Sequence, residues 1–440
     1  MDKLKINGGH RLSGQIYISG AKNAALPLIC ASLLTRERVT LTNMPSLSDI
    51  RSMNLLLEQL GTQIDSRNEV VDGNPCKMYT YQTAQTKSLI APYDYVRKMR
   101  ASYYVLGPLL AREHYAELSL PGGCAIGARP MDIHLSALEQ MGASIEIKNG
   151  YVIARAENGL KGAHLIFNIA SVGATCNILM AAALAEGTTV IENAAMEPEI
   201  GNLAEMLNAM GAKITGIGTP ILTIEGVREL HGTVHKVIPD RIEAGSYAVA
   251  AAITRGRIEL INAQAATLKT PLRILSEMGV RVIEKPHGII IDAENCRLEG
   301  KDIMTDYYPG FPTDLQAQFL TLMLTADGAS MVTETIFENR FMHVPELMRM
   351  GANINVHGHA SAIVRGVKKL YGAQVMATDL RASFALVLAG LIAEGETIVN
   401  RVYHLDRGYE KLEEKLRGVG ADIVRIKEPD QTDTPPKKAA

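Results

Sequence analysis

The chain has 440 residues, 47% hydrophobic and 21% charged, with a formal net charge of −2. That length exceeds one ordinary hydrophobic core, so two domains are expected, and the near-neutral charge argues against a general nucleic-acid binder. No long charge-free apolar run occurs, and "MDKLKINGGHRLSGQIYISG" lacks an apolar segment ahead of a small-residue cleavage site, so neither a membrane span nor a secretory leader is expected.

From the N-terminus, "SGAKNAALP" sets Lys22 and Asn23 just ahead of an apolar helix. Asn23 could cap that helix, and Lys22 could hold an anion or face solvent. A phrase then recurs through the chain: "LEQLGTQID", "LEQMGASIE", "LNAMGAKIT", "LSEMGVRVI", "LMRMGANIN" and "LRGVGADIV". Its glycines, Gly61, Gly142, Gly211, Gly279, Gly351 and Gly420, are separated by 81, 69, 68, 72 and 69 residues. Each copy reads as a helix end, a left-handed glycine and a strand. A second phrase ("RERVTLTNM", "AEGTTVIENA", "TRGRIELINA", "AEGETIVNRV") reads as a short alternating strand with a polar residue opening the next helix, among them Asn43, Asn193 and Asn262. Such a period predicts packed strand–helix units. They divide three and three, with a crossing between halves near Val237 to Asp240. The long first interval is assigned to Asp72–Ser88, read as a surface excursion with Cys76 incidental. The tail 429–440 has no apolar pattern and is expected to be disordered.

The five cysteines are odd in number and none are two or three apart, which fits a reducing cytoplasm rather than zinc or disulfides. Cys30 and Cys176 sit in apolar helical patterns and read as buried hydrophobes. Cys124 differs. It lies in "SLPGGCAIGARPMDIH", a glycine-rich loop leading into a helix from about Pro130, with Arg129 beside the helix start and Asp132 in its first turn. Free amides plus a guanidinium suit a phosphate or carboxylate, and nearby cations would activate the thiol. An incidental loop cysteine is the alternative.

Other polar clusters fall at comparable junctions: "RKMRAS" with Arg97 and Arg100, "YPGFPTDLQAQF" with Asp314, "FENRFMHVPE" with Arg340 and His343, "ATDLRASFALVLAG" with Asp379 and Arg381, and "YHLDRGYEKLEEKL" with Asp406 and Arg407 at the last helix start. Asp314 could be a capping residue. Basic residues at many helix starts are unfavourable unless an anion offsets them, so a convergent site for a polyanionic small molecule is expected. No G-x-x-x-x-G-K-[ST] loop or dinucleotide fingerprint is present.

"SGAKNAALP", "SLPGGCAIGARP", "FPTDLQAQ", "FENRFMH" and "HLDRGYE" together resemble the enolpyruvyl transferase family, in particular its members that act on UDP-N-acetylglucosamine, over nearly the whole chain to about residue 428. The resemblance implies an α/β fold of two inside-out barrel domains, each of three repeated units with internal helices and outer sheets, and an active site in the cleft between them. It implies one domain at 22–238 and another at 1–21 plus 239–428. The implied reaction transfers the enolpyruvyl group of phosphoenolpyruvate to the 3-hydroxyl of UDP-N-acetylglucosamine and releases phosphate, by addition and elimination through a tetrahedral ketal, in bacterial peptidoglycan synthesis. No metal or organic cofactor is implied.

By the same resemblance, Lys22, Arg129 and Arg407 contact phosphoenolpyruvate or the intermediate, with Arg340, Arg381 and Arg100 in the same electrostatic set. Asp314 accepts the hydroxyl proton. Cys124 acts as general acid toward the methylene carbon, or assists product release, and is the target of covalent modification by fosfomycin. Asn23 positions substrate. Pro130, Met131, Asp132, Ile133, Ser171, Val172 and Gly173 match nucleotide-binding segments, and Ile336 a substrate contact. Ser48 stands where a family member has lysine, removing one positive charge near the interdomain face. The related 3-phosphoshikimate transferases share fold and donor but lack the cysteine loop and use an acceptor without a nucleotide. A sensor that binds the sugar nucleotide without turnover is the non-enzymatic alternative.

Overall fold

A computed structural model of the chain describes residues 2–71, 73–97, 99–120 and 131–427. The loop 121–130, with Cys124, Arg129 and Pro130, lies outside the described residues, as does the tail assigned to disorder. Among the described residues the strands form six four-stranded sheets. Each is laid out alike. In one, His164–Ile166 runs parallel to Thr188–Glu192, which pairs antiparallel with Ile221–Glu225, which pairs antiparallel with Lys213–Thr215.

The parallel pair in such a unit is joined by an apolar helix, here Val172–Ala182. The corresponding helices elsewhere are Lys22–Ala31, Leu106–Glu113, Arg241–Ile253, Gln316–Met323 and Leu380–Ile392. They are buried almost all round, every residue from Ile242 to Ile253 being buried. Their strands alternate buried and exposed positions, as in Thr188–Glu192. A helix apolar on every side needs cover on every side, so these helices take the interior and the sheets lie against them with one face out.

The apolar side chains gather into two clusters. One draws on Ala21 to Val237, the other on Leu4 to Ile18 together with Ile242 to Ile423. In one sheet of each cluster the parallel pair is formed by strands far apart in the chain rather than joined through a single helix. Ser13–Tyr17 joins the sheet of Arg257–Ile261, and Thr233–Lys236 joins that of Val39–Met44. The two crossing segments lie side by side: the Ala21 amide donates to the Ile238 carbonyl at 2.7 Å, and the Asp240 amide to Ser19 at 2.8 Å. Gly20 is forced by this crossing, since a Cβ there would stand 1.9 Å from the Asn43 carbonyl oxygen.

The six repeat glycines all take positive φ, between 93° and 111°, so each closes its helix in the left-handed turn the spacing predicts. The asparagines differ from expectation. Asn43, Asn193 and Asn262 do not open helices; they take φ of 54°, 57° and 64°, Asn43 near the end of its strand and the other two just beyond theirs. Each side-chain amide donates to a carbonyl of the flanking parallel segment, at Val237, Phe167 and Ile18. Asparagine tolerates this conformation, and the amide ties strand to strand. The Asp72–Ser88 excursion is also corrected. Asn74–Gln82 is a strand between Gln63–Val71 and Val39–Met44. Tyr81 from it is fully buried and donates to Asn54 at 3.0 Å, so burial of an aromatic strand face outweighs the polar appearance of the stretch.

Candidate active site

A cavity of about 460 Å³ lies between the two clusters. Lys22, Asp49 and Arg100 line it from one side; Arg241, Asp314, Arg340, Arg381 and Arg407 from the other. The fold explains the convergence. Residues at or just before the N-terminal ends of all six buried helices line this cavity: Lys22, Tyr104, Val172, Arg241, Asp314 and Arg381. Helix N-termini carry unsatisfied amides and partial positive charge, so six of them beside lysine and arginine make a strong anion environment.

Asp314 is held by two guanidiniums. Its Oδ1 accepts from Arg340 Nη2, and its Oδ2 from Arg381 Nε at 3.1 Å and Nη2 at 3.0 Å. It sits in the short turn Thr313–Leu315 ahead of its helix, so it is no cap. Asp379 does cap: its carboxylate accepts from the amides of Arg381 and Ala382. Burial disfavours the charge on Arg381, but Asp314 and Tyr409 outweigh it and hold the guanidinium above its ordinary range. The Arg381 guanidinium lies 5.5 Å from the Tyr409 ring centroid. Beneath, Gln318 Nε2 donates to the Tyr409 hydroxyl, to Ser246 and to the Asp314 carbonyl, each at 3.1 Å. Arg381 Nη1 is a buried donor without an acceptor among the described residues.

Asp49 joins the two sides. Lys22 Nζ lies 3.3 Å from its Oδ2 and Arg407 Nε 2.9 Å from its Oδ1. Burial alone would raise the Asp49 carboxyl, but Lys22 and Arg407 together hold it below the usual carboxylate range. For Lys22 burial wins: the ammonium is pushed below its ordinary value despite Asp49, and Arg381 and Arg407 push it further. Asn23 sits with Lys22 in the first helical turn, and the helix start has no side-chain cap, so Asn23 is left to the cavity it lines. A second cross-cleft pair is Arg241 with Glu199, at 3.0 Å and 3.3 Å. Glu197 beside it is raised by burial.

The helix Val172–Ala182 begins with Ser171 as its cap, accepting from the Ala174 amide at 3.3 Å. Gly173 packs so closely that a Cβ would lie 2.5 Å from the Tyr103 hydroxyl. Tyr103 meets His134 edge-on, ring centroids 4.8 Å apart.

Of the residues expected from sequence, Lys22, Asn23, Arg100, Met131, Ile133, Ser171, Val172, Gly173, Asp314, Ile336, Arg340, Arg381 and Arg407 all line this one cavity. Asp132 begins its helix, Asp132–Gln140, but is exposed and does not line it. Asp406 and Arg407 end the short helix Val402–Arg407 rather than starting the last one. Arg97 is exposed and pairs with Asp94 at 3.2 Å. Cys124, Arg129 and Pro130 lie outside the described residues. Sequence reasoning missed Asp49, Glu199, Arg241, Tyr103 and His134. The only signal was that Arg241 follows the predicted crossing; the others look like ordinary helix and loop residues. Among the described residues no cluster of three His, Cys, Asp or Glu is placed to hold a metal ion.

The family model of EPSP synthase (3-phosphoshikimate 1-carboxyvinyltransferase) matches residues 6–416. A UDP-N-acetylglucosamine 1-carboxyvinyltransferase of Paramagnetospirillum magneticum is 61% identical over 97% of this chain and 99% of its own. One of Granulibacter bethesdensis is 59% identical over 97% and 100%. Among solved structures, the enolpyruvyl transferase NikO from Streptomyces tendae superposes with a TM-score of 0.85 at 24% identity, covering 97% of this chain and 99% of that one. EPSP synthase from Acinetobacter baumannii superposes with a TM-score of 0.72 at 19% identity, covering 97% and 100%. These two likenesses speak for the fold alone.

Proposed function

We infer the chemistry from kinship and geometry together: the chain belongs to the UDP-N-acetylglucosamine 1-carboxyvinyltransferases, within the wider EPSP synthase family. It transfers the enolpyruvyl group of phosphoenolpyruvate to the 3-hydroxyl of UDP-N-acetylglucosamine and releases phosphate, a step of peptidoglycan synthesis. The observation that carries this reading in the structure is Asp314 seated between Arg340 and Arg381, in a cavity that also holds Lys22 and Arg407. Phosphoenolpyruvate brings a phosphate and a carboxylate, and the sugar nucleotide a diphosphate. Cations and helix ends supply the opposing charge where water is scarce.

In our reading Lys22, Arg129, Arg340, Arg381 and Arg407 bind the phosphoenolpyruvate anion and its ketal, with Arg100 in support. An arriving phosphate competes with Asp314 for Arg340 and Arg381. The carboxylate released from them is then available to take the proton of the sugar 3-hydroxyl as the C–O bond forms. Cys124 delivers a proton to the methylene carbon, and its loop closes over the bound nucleotide. Asn23 positions the acceptor, and the segments 130–133 and 171–173, with Ile336, hold the sugar nucleotide. Fosfomycin, a small electrophilic anion, is read as alkylating Cys124. The two apolar clusters are read as two inside-out α/β domains, 22–238 and 1–21 plus 239–428. No helix among the described residues is long and apolar enough to cross a membrane, and cysteine usage favours the cytoplasm.

The test is phosphate release from phosphoenolpyruvate, with UDP-N-acetylglucosamine or shikimate 3-phosphate as acceptor. Release with the sugar nucleotide alone supports the reading. Release with shikimate 3-phosphate instead, or none despite tight nucleotide binding, overturns it.

A further inference from the structure

Arg425 lies on the last strand, Asp422–Ile426, and does not line the cavity. Its guanidinium forks onto Asp406, Nη2 at 2.6 Å from Oδ1 and Nη1 at 3.0 Å from Oδ2. The same group reaches Glu413 through Nε at 2.8 Å and Nη2 at 3.4 Å, and Asp2 through Nη1 at 3.4 Å. One cation therefore holds together three carboxylates that would otherwise repel one another.

Asp406 is the residue before Arg407. Its carbonyl accepts from Ser48 Oγ at 3.3 Å, across the cleft. The short helix Val402–Arg407 enters from Arg401 in the left-handed conformation and leaves through Gly408. A Cβ on Gly408 would stand 2.8 Å from Leu380 Cδ2, so this turn is pressed against the helix that carries Arg381. The Arg407 side chain is 37% exposed, while that of its partner Asp49 is 6% exposed. Packing alone leaves Arg407 loosely held. Beyond its contacts with Asp49, its direction depends on the backbone behind it, and the neighbouring Asp406 side chain is held by Arg425.

We propose that Arg425, through its fork on Asp406, is a positioning residue that aims Arg407 across the cleft at Asp49 and at the bound phosphoenolpyruvate. The proposal rests on the reading of Arg407 as a phosphoenolpyruvate ligand. Arg425 itself touches neither substrate. Glu413 is also gripped at two points and Asp2 at one, but the tighter fork falls on Asp406, at 2.6 Å and 3.0 Å against 2.8 Å and 3.4 Å for Glu413.

The test uses the full chain as wild type, Arg425→Met, Arg425→Lys, Asp406→Asn and the Arg425→Met/Asp406→Asn double variant. Steady-state phosphate release should give a KM for phosphoenolpyruvate raised about tenfold in Arg425→Met, with the KM for UDP-N-acetylglucosamine changed by less than about twofold. Asp406→Asn should do the same, and the double variant should be no worse than either, because both remove one interaction. Arg425→Lys keeps the charge but not the fork and should fall between. An equal rise in both KM values with a lowered melting temperature, or no change in the phosphoenolpyruvate KM of a folded variant, would overturn the proposal. Should Arg425→Met fail to fold, Arg425→Lys carries the comparison. Hydrogen exchange of the segment 402–411 without substrate gives a readout independent of turnover: faster exchange confined to it supports the clamp, and unchanged exchange rejects it. A wild type that releases no phosphate would fail the proposed function while leaving the exchange result decisive.

Discussion

Arg407 and Asp49 are 358 residues apart in the chain, yet Nε lies 2.9 Å from Oδ1. The same carboxylate takes Lys22 at 3.3 Å on its other oxygen. One buried acid thus ties together two cations that reach the cavity from opposite sides, and its charge opposes the burial that disfavours the Lys22 ammonium.

Replacing Asp49 by Asn should therefore move the pH dependence of turnover. Lys22 already titrates below its ordinary 10.5 because burial outweighs Asp49. Removing Asp49 leaves Arg381 and Arg407 to push it down further, so the ammonium is lost at lower pH. The alkaline limb of kcat/KM should shift toward neutrality in Asp49→Asn, with activity at pH 6 affected less than at pH 9. A limb that stays in place would mean that Asp49 does not govern the Lys22 charge.

Asp314→Asn should abolish the base while keeping the fold. Phosphate release should fall by roughly 10²–10⁴-fold, the usual worth of a positioned base, while calorimetry still finds the sugar nucleotide bound. Arg340 and Arg381 lose a full charge partner in this variant, so inorganic phosphate should raise its melting temperature more than it raises that of wild type. Near-normal turnover would remove Asp314 from its assigned role.

The reading of Cys124 predicts that fosfomycin inactivates the chain with time, that excess phosphoenolpyruvate slows the loss, and that the added mass maps to Cys124. Cys30 and Cys176 are fully buried, and burial raises both thiols well above the ordinary thiol range. They should remain unmodified in the folded protein. Adducts on those cysteines with none on Cys124 would contradict the assignment.

The repeat was legible because its physics is local. A left-handed glycine after a helix is written in six places, and cations stand at several of the buried helix starts, Lys22, Arg241 and Arg381 among them. Tertiary partners were less legible. Asp49 reads as an acid in a first helical turn, and nothing near it in sequence names Arg407. Glu199 and Arg241 are likewise ordinary helix-start residues until the crossing brings them to 3.0 Å. The strand Asn74–Gln82 was hidden for a related reason: its pairing partners, not its composition, make it a strand. Asn43, Asn193 and Asn262 were read as helix openers because asparagine serves equally well as a cap and as a left-handed residue, and only the neighbouring strand's carbonyl selects between the two.

Gly173→Ala tests the nucleotide side. The added methyl would lie 2.5 Å from the Tyr103 hydroxyl and 3.2 Å from His134, and Tyr103 is held by ring contacts with Tyr104 and His134. The variant should raise the KM for UDP-N-acetylglucosamine more than tenfold, roughly the cost of about 1.4 kcal/mol of displaced contact, and leave the KM for phosphoenolpyruvate nearly unchanged. Equal rises would place Gly173 in the general packing instead.

His134 gives the fold a pH limit of its own. It is 4% exposed, and burial, with Arg100 nearby, pushes its imidazole down to about 4 from an ordinary 6.5. Its hydrogen bonds fix the neutral form. The Gly107 amide donates to Asn177 Oδ1 at 2.7 Å, so Asn177 Nδ2 must be the donor toward Tyr103 O and toward His134 Nδ1, each at 3.2 Å. A proton on Nδ1 would face another donor. The folded pKa lies below the unfolded one, so the unfolded chain binds the proton first as pH falls. Stability from this residue is therefore whole above about pH 6.5, declines between 6.5 and 4, and has lost on the order of 3 kcal/mol below that. His134→Gln keeps an acceptor for Asn177 but has no proton to gain in that range. Denaturant midpoints from pH 7.5 to 4.5 should fall more steeply for wild type than for His134→Gln, the difference opening below pH 6.5. Parallel curves would show that the imidazole is already solvated enough to titrate normally in the folded protein.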